Sequence, residues 1–373
     1  MENGKSANTE IDPELSKRIT ALRFLLSTFV VTIHSGALAE MFENYGKGVE
    51  VSKFFLSSEN FITNHFFIRC AVPLFFFFSG YLYFAKRESY GTMLKKRLRS
   101  IVLPYFLWIF SSFVLFFIAD SAGLTRNHVA DKTAAGWLKI FSGFPADEDG
   151  TFYPFLIQFW YLRELMLVFV LSPLIKKIID KWPILYFCAT FIFWQSSLPL
   201  HSMYGQAFIF FPLGYCAVKY NITAAKIDKL EFRELGIVYG LVIAAQTAEY
   251  VLNRHDFQIL QALNIILSCL LILKFAGLWV KKEKIFAGLQ SLSVYSFWIF
   301  AVHTPLTATV VNKLILKFIP AVTPKLLFAI FFLRLIFIVS LSLLSGILCK
   351  KLFPSVFSLY TGGRIRRNGK LIA

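Results

Sequence analysis

Cysteine is scarce and unpatterned in this chain. The 373 residues contain five, Cys70, Cys188, Cys216, Cys269 and Cys349, all within or at the end of apolar segments. Their number is odd and no CxxC occurs, so neither a disulfide framework nor a zinc site is indicated, and they read as small buried hydrophobes. Charge is also thin, at 16% of residues, and acidic residues are outnumbered 22 to 39 by Lys and Arg. There is no internal repeat, no low-complexity tract, and no stretch between the apolar segments large enough to build a second core. The first apolar segment follows eighteen mostly polar residues and lacks a short apolar core with a small-residue cleavage site, so it is expected to be an uncleaved signal anchor.

What is abundant is apolar sequence: 57% of residues are hydrophobic and 17% aromatic, with a mean hydropathy of +0.61. It comes in blocks long enough to cross a bilayer, separated by clusters of charge, which predicts an all-α polytopic membrane protein. Ten spans are expected, at 19–39, 61–84, 101–119, 157–175, 183–199, 203–218, 235–252, 259–279, 292–314 and 326–348. They make one membrane domain, 19–349, between a polar N-terminal tail, 1–18, and a basic C-terminal tail, 350–373, expected to be disordered.

The net charge of +17 invites a nucleic-acid reading, but its distribution opposes one. Most Lys and Arg fall in the N-terminal tail and the even-numbered connections, including Lys86, Lys95, Lys96, Arg97, Arg99, Lys281, Lys282 and Lys284. By the positive-inside rule this places both termini in the cytoplasm, and the basic excess serves topology and contact with anionic lipids. The longest connection, 120–156, carries Trp137 and Phe141 at a spacing that fits a short interfacial helix, with a lid over an external site as the functional alternative to a solvated loop.

Ionisable residues inside spans are costly and mark function. Arg23 and His34 share the first span eleven residues apart, a spacing that returns both to one helical face, offset by roughly 20° and ~16 Å along the axis. Counting rise from the expected external ends puts His34 ~8 Å, Arg69 ~12 Å, Arg163 and Glu164 ~10 Å, His303 ~16 Å and Arg334 ~12 Å deep. Five spans thus bring polar groups into the outer half of the membrane, with Arg23 near the cytoplasmic end. Arg163 and Glu164 are adjacent and project about 100° apart, so one is expected to face the cavity and the other to pair with a neighbouring helix. Arg334 reads as structural and Lys274 as snorkelling. Pro73 is a candidate kink, and Ser79-Gly80 a place of close backbone approach.

A cavity with a cation at its inner mouth and an imidazole at its far end matches coenzyme A, which has phosphates at one end and a thioester at the tip of a long arm. No metal is needed: His34 is a general base for an acceptor hydroxyl, and Arg69 or Arg163 can stabilise the oxyanion. Arg97 and Arg99, with Ser79 nearby, are candidates for holding the donor. The rivals are a transporter or flippase for a glycan or lipid intermediate, since intramembrane charges also line transport paths, and a non-catalytic sensor of an acyl donor or lipid.

The same residues carry a resemblance. Ala21-Leu22-Arg23 running to His34, Arg69-Cys70-Ala71-Val72-Pro73-Leu74-Phe75-Phe76 followed by Ser79-Gly80-Tyr81, the basic Lys96-Arg97-Leu98-Arg99 before Pro104-Tyr105, and Phe159-Trp160-Tyr161-Leu162-Arg163-Glu164-Leu165 form an ordered series. With His303 ahead of Pro305, this series resembles the acyltransferase type 3 family of membrane O-acyltransferases. The resemblance implies transfer of an acyl group, usually acetyl, from acetyl-CoA or another short acyl-CoA to a hydroxyl of a surface or lipid-linked glycan, in the inner membrane of a bacterial-type cell. It also implies that Arg23, His34 and Arg69 belong to the functional core. His34 stays open between base and transient acyl carrier, and oligomeric state is left open.

Overall fold

The computed structural model describes residues 11–36, 38–44, 53–86, 88–123, 156–196, 201–252, 258–319, 323–363, 366–367 and 370–371. It is all-α apart from a two-residue antiparallel pairing of Arg366–Arg367 with Lys370–Leu371. The connection carrying Trp137, Phe141 and the acidic Asp147-Glu148-Asp149 lies outside the described residues.

The first helix starts earlier than hydropathy alone suggests. Asp12 caps α1 (Pro13–Ile33): its Oδ1 accepts from the backbone N–H of Glu14 at 2.9 Å and of Leu15 at 3.4 Å. Pro13 occupies the first helical position, where a missing N–H costs nothing. The helix therefore takes in Arg18, which the expected tail of 1–18 had left in water. Arg18 is fully buried, and its guanidinium forks Asp228, Nη1 to Oδ1 at 2.9 Å and Nη2 to Oδ2 at 2.6 Å. A buried arginine is tolerable only with such a partner. Leu15, Ile19, Leu22, Leu26 and Val30 form a stripe at three- and four-residue spacing, and all are buried.

After α1 come α2 (Leu38–Asn44), α3 (Lys53–Asn64) and α4 (Ala71–Phe84), then α5 (Tyr90–Arg97) and α6 (Leu103–Ser121). The second half holds α7 (Trp160–Lys181), α8 (Pro183–Trp194), α9 (His201–Lys219), α10 (Ala224–Asp228), α11 (Phe232–Val251), α12 (Gln258–Val280), α13 (Glu283–Ser293), α14 (Ser296–Val302), α15 (Ala308–Phe318), α16 (Pro324–Leu352) and α17 (Pro354–Tyr360). Helix α1 lies among α4, α12, α13, α14 and α16.

Five stretches among the described residues are long and apolar enough to cross a bilayer: Ser58–Phe84, Tyr90–Ser121, Ile259–Val280, Ser296–Phe318 and Lys325–Leu352. Three of them are interrupted. A 3₁₀ turn, Phe67–Cys70, separates α3 from α4, and π-helical turns at Leu98–Val102 and His303–Thr307 separate α5 from α6 and α14 from α15. Pro73 sits in the first turn of α4, so the break precedes it and the expected kink is absent. Helix α8 has 12 residues, about 18 Å, against a hydrocarbon core of about 30 Å. The expected fifth span is thus a short apolar helix over its described part.

The tightest crossing joins α4 and α9. Ring packing surrounds it, with Phe84 and Tyr83 against Phe211 and Phe84 against Tyr215. At its centre a Cβ on Gly80 would collide with the carbonyl of Phe211, and one on Gly214 with the backbone of Tyr81 and Gly80. This is the close approach expected at Ser79-Gly80, answered by a second glycine across the interface. At the other end of the chain, the tail expected from 350 begins with docked structure. Helix α17 packs on α6, the Trp108 indole N–H donates to the Tyr360 carbonyl at 3.0 Å, and Thr361 is fully buried.

Two predictions follow from this packing. Gly214→Leu removes the folded, monodisperse species from size-exclusion chromatography in detergent, whereas Gly236→Leu, at a helix position with open space around it, elutes like wild type; equal behaviour would mean the crossing is loose. The Arg18 hydrogen bond, aided by the charges of Arg18, Lys274 and Lys281, holds the Asp228 carboxyl below its ordinary range. A depressed folded pKa stabilises above the unfolded value of about 3.9 and loses that contribution as pH falls through the folded value. Asp228→Asn therefore lowers the thermal midpoint at pH 7, by about 0.5–1 kcal/mol of stability for a pair whose carboxylate is partly exposed to solvent, and the gap to wild type closes in acid. A gap unchanged at pH 3 would refute the pairing.

Candidate active site

Helix α1 stops at His34. Ser35 turns its hydroxyl back onto the Val31 carbonyl at 2.6 Å, and the carbonyls that the stop leaves open, Ser35 and Gly36, accept from Arg334 Nη1 at 2.9 and 3.4 Å. Arg334 also donates from Nε to Asn312 at 2.8 Å, so it is a buried structural brace on the end of the helix that carries His34, as its sequence position suggested.

The 3₁₀ turn before α4 holds Arg69. Its Nε donates to the Asn64 carbonyl at 3.3 Å and its Nη2 to the Asn64 side-chain oxygen. The neighbouring carbonyl of His65 accepts from the Asn264 amide, which also donates to Gln246 at 2.7 Å. No carboxylate pairs with Arg69 among the described residues, and its charge acts on His34.

The third interruption holds His303. Thr304 is extended, with φ −137° and ψ 141°, and the Thr304–Pro305 peptide is cis. Gln158, in the 3₁₀ turn that opens α7, donates its amide N–H to the carbonyls of Ala301 at 3.0 Å and Thr304 at 2.6 Å. The chain turn brings the rings of His303 and His34 together, with centroids 5.4 Å apart.

Toward the other end of α1, Arg23 is half-buried, makes no hydrogen bond or ion pair among the described residues, and has Tyr161 as its ionisable neighbour. Tyr161 Oη lies 3.4 Å from Ser79 Oγ. Arg97, the last residue of α5, lies over the Phe169 ring at 4.7 Å and close to Tyr83 and Tyr161. Its Nε is buried without a hydrogen-bond partner. Neighbouring Lys96 instead pairs with Glu88 at 2.6 Å, an interaction that holds the Glu88 carboxyl below its ordinary range. Arg99 is exposed and stands apart from this group. Arg23, Ser79, Arg97 and Tyr161 thus line one polar strip whose two half-buried cations make no ion pair among the described residues, although the charge of Glu88 acts on Arg97. Cations in such surroundings favour an anion.

Arg163 and Glu164 do not divide as their angular separation suggested. Both are buried and they pair with each other, Nε to Oε1 at 2.9 Å. The 100° between their Cα–Cβ directions is spanned by the length of the arginine stem. Lys274 is buried rather than snorkelling in water, and its ammonium donates to the Asp228 carbonyl at 3.0 Å and to that of Leu230.

The family model for an acyltransferase domain matches residues 16–346, most of the chain. The chain belongs to the acyltransferase type 3 family. Its similarity extends to the succinoglycan biosynthesis protein ExoH of Rhizobium meliloti (strain 1021), at 24% identity over 373 residues, covering 95% of this chain and 94% of that protein. No solved structure matches it. Within this membrane acyltransferase, Gln158, Tyr161 and Asn264 are the site-building residues that a search for intramembrane charge passes over. Gln158 and Asn264 are neutral amides, and the available signal was a lone amide in an otherwise apolar segment.

Proposed function

We propose that this acyltransferase moves a short acyl group, acetyl being the first candidate, from a cytoplasmic acyl-CoA to a hydroxyl of a surface or lipid-linked glycan. The observation that carries the reading is the polar strip beside α1: two cations without an ion pair among the described residues, Arg23 of α1 and Arg97 of α5, lie near Tyr161, and an imidazole, His34, stands eleven residues beyond Arg23 at the end of α1. A polyanion with a long arm and a reactive tip fits that distribution. The glycan acceptor is supported by the name of the ExoH relative. Ten membrane crossings with both termini in the cytoplasm of an inner membrane are proposed from the distribution of basic residues.

In this reading Arg97 and Arg23 hold the donor's phosphates, Arg97 with its stem fixed over Phe169, and Ser79 lies beside the arm. His34 takes the proton of the acceptor hydroxyl as its oxygen attacks the thioester carbonyl carbon. Arg69 faces the oxyanion that develops. The C–S bond then breaks, and the thiolate leaves with the proton from the imidazolium. The alternative in which His34 itself carries the acyl group uses the same placement. The Arg163–Glu164 pair orients the first turn of α7, where Tyr161 is carried.

The test is radiolabelled acetyl-CoA, and then succinyl-CoA, incubated with purified protein in detergent and a lipid-linked glycan extract. Wild type transfers label and His34→Ala loses about 10²–10⁴-fold in kcat. Arg97→Leu raises the acyl-CoA KM roughly tenfold or more, the loss of a hydrogen bond between charged groups, with kcat less affected. Equal transfer by His34→Ala removes His34 from the chemistry, and an unchanged KM in Arg97→Leu removes Arg97 from the donor site.

A further inference from the structure

The interruption at His303 is saturated with hydrogen bonds at every backbone carbonyl around it. Those of Ile299 and Phe300 lie 3.2 and 2.8 Å from His303 Nδ1. Those of Ala301 and Thr304 accept from Gln158. Those of Val302 and His303 accept from the Thr307 hydroxyl at 3.2 and 3.1 Å, which Ser342 in turn contacts at 2.9 Å. Two side-chain acceptors at this turn are left over, Gln158 Oε1 and His303 Nε2. His303 Nε2 is buried, in a residue 1% exposed, and has no hydrogen-bond partner.

The tautomer follows from the partners. Carbonyl oxygens only accept, so Nδ1 carries the hydrogen, and a neutral imidazole then has its lone pair on Nε2. An unmade buried hydrogen bond costs about 1–3 kcal/mol. Gln158, Thr307 and Ser342 hold the turn, the carbonyls of Ile299 and Phe300 hold the ring, and the ring that stands beside its open Nε2 is His34.

We propose that His303 is a positioning residue for His34: its Nε2 accepts the ring N–H of His34, directly or through one water, and so fixes His34 with its other nitrogen open to the acceptor hydroxyl. The inference rests on His34 being the base of the acyl transfer proposed above. As the hydroxyl oxygen bonds to the thioester carbon, its proton goes to the open nitrogen of His34. His34 becomes the imidazolium, and its other N–H stays on His34, donated to His303 Nε2. When the C–S bond breaks, His34 gives a proton to the departing thiolate, and both rings end neutral. Gln158 acts at one further remove, by holding the turn on which His303 stands.

The experiment pairs kinetics with a readout that needs no turnover. In the transfer assay, His303→Leu lowers kcat about 10²-fold with the acyl-CoA KM within about twofold. His303→Gln, whose Oε1 can stand near the place of Nε2, recovers about tenfold of that loss. In parallel, protein labelled with ¹⁵N-histidine is compared in detergent micelles by NMR. Six histidines give the spectrum, and His34→Gln assigns the His34 ring. Wild type shows one His34 tautomer, and His303→Leu and Gln158→Leu show a mixture. An unmoved His34 tautomer, or a full kcat in His303→Leu, overturns the proposal. If His34 shifts its tautomer while wild type transfers nothing from acyl-CoA, the acyl-transfer reading fails and the coupling stands. If wild type and His303→Leu transfer alike, the reverse holds. Because His303→Gln keeps size and an acceptor, a collapse of His303→Leu alone leaves the comparison decisive.

Discussion

A carbonyl or N–H released inside an apolar interior must find a partner, because water is not there to supply one. That constraint organises this molecule. Each place where a helix is interrupted near α1 is closed by a polar side chain from another element: Arg334 on the end of α1, Asn264 on the break before α4, and Gln158 on the break after α14, where Thr307 of the turn itself adds a hydroxyl. The residues with chemistry in them, His34, Arg69 and His303, stand at these same three places. An uninterrupted helix fixes each side chain to one face, and its neighbours bury that face. An interruption turns the chain so that a side chain can leave the face and meet others, and π-helical turns recur at functional sites for this reason. The polar braces are therefore not incidental to the site.

The same accounting sorts the intramembrane cations. Arg18 has Asp228, Arg163 has Glu164, Lys274 has two carbonyls and Arg334 has three oxygens. Their interactions resemble those of buried charges that hold a fold. Arg23, Arg69 and Arg97 have no ion pair among the described residues. That difference in surroundings is what sets them apart from the arginines that hold the fold. In the proposed reaction, the phosphates of the donor would supply negative charge beside Arg23 and Arg97.

Much of this was legible in the sequence, and the failures have physical causes. Apolar blocks gave the helices, and the eleven-residue spacing of Arg23 and His34 holds because α1 is continuous between them. Gly80 marked a close contact. The start of α1 was written as Asp12-Pro13, a cap and a first-turn proline, but a polar first turn is invisible to hydropathy. Arg163 and Glu164 were separated by an argument about Cα–Cβ directions that ignored the reach of the side chains. The meeting of the His34 and His303 rings depends on the turn at Thr304-Pro305, which a hydropathy count does not register. Gln158 and Asn264 carry no charge, and a search for ionisable groups cannot find the amides that make an interruption affordable.

The chemical identity of the partner to His34 also follows from these surroundings. In many hydrolytic sites a carboxylate orients the base. Here Arg69 stands beside His34, and a carboxylate at the position of His303 would form an ion pair with that arginine, as Glu164 does with Arg163. The pair would withdraw both groups from the reaction. A neutral imidazole accepts a hydrogen bond without attracting the guanidinium, so it can fix the tautomer of His34 and leave Arg69 open toward the oxyanion. Its own orientation must then come from neutral donors and acceptors, and the carbonyls of Ile299 and Phe300, with Gln158 and Thr307 around them, supply that.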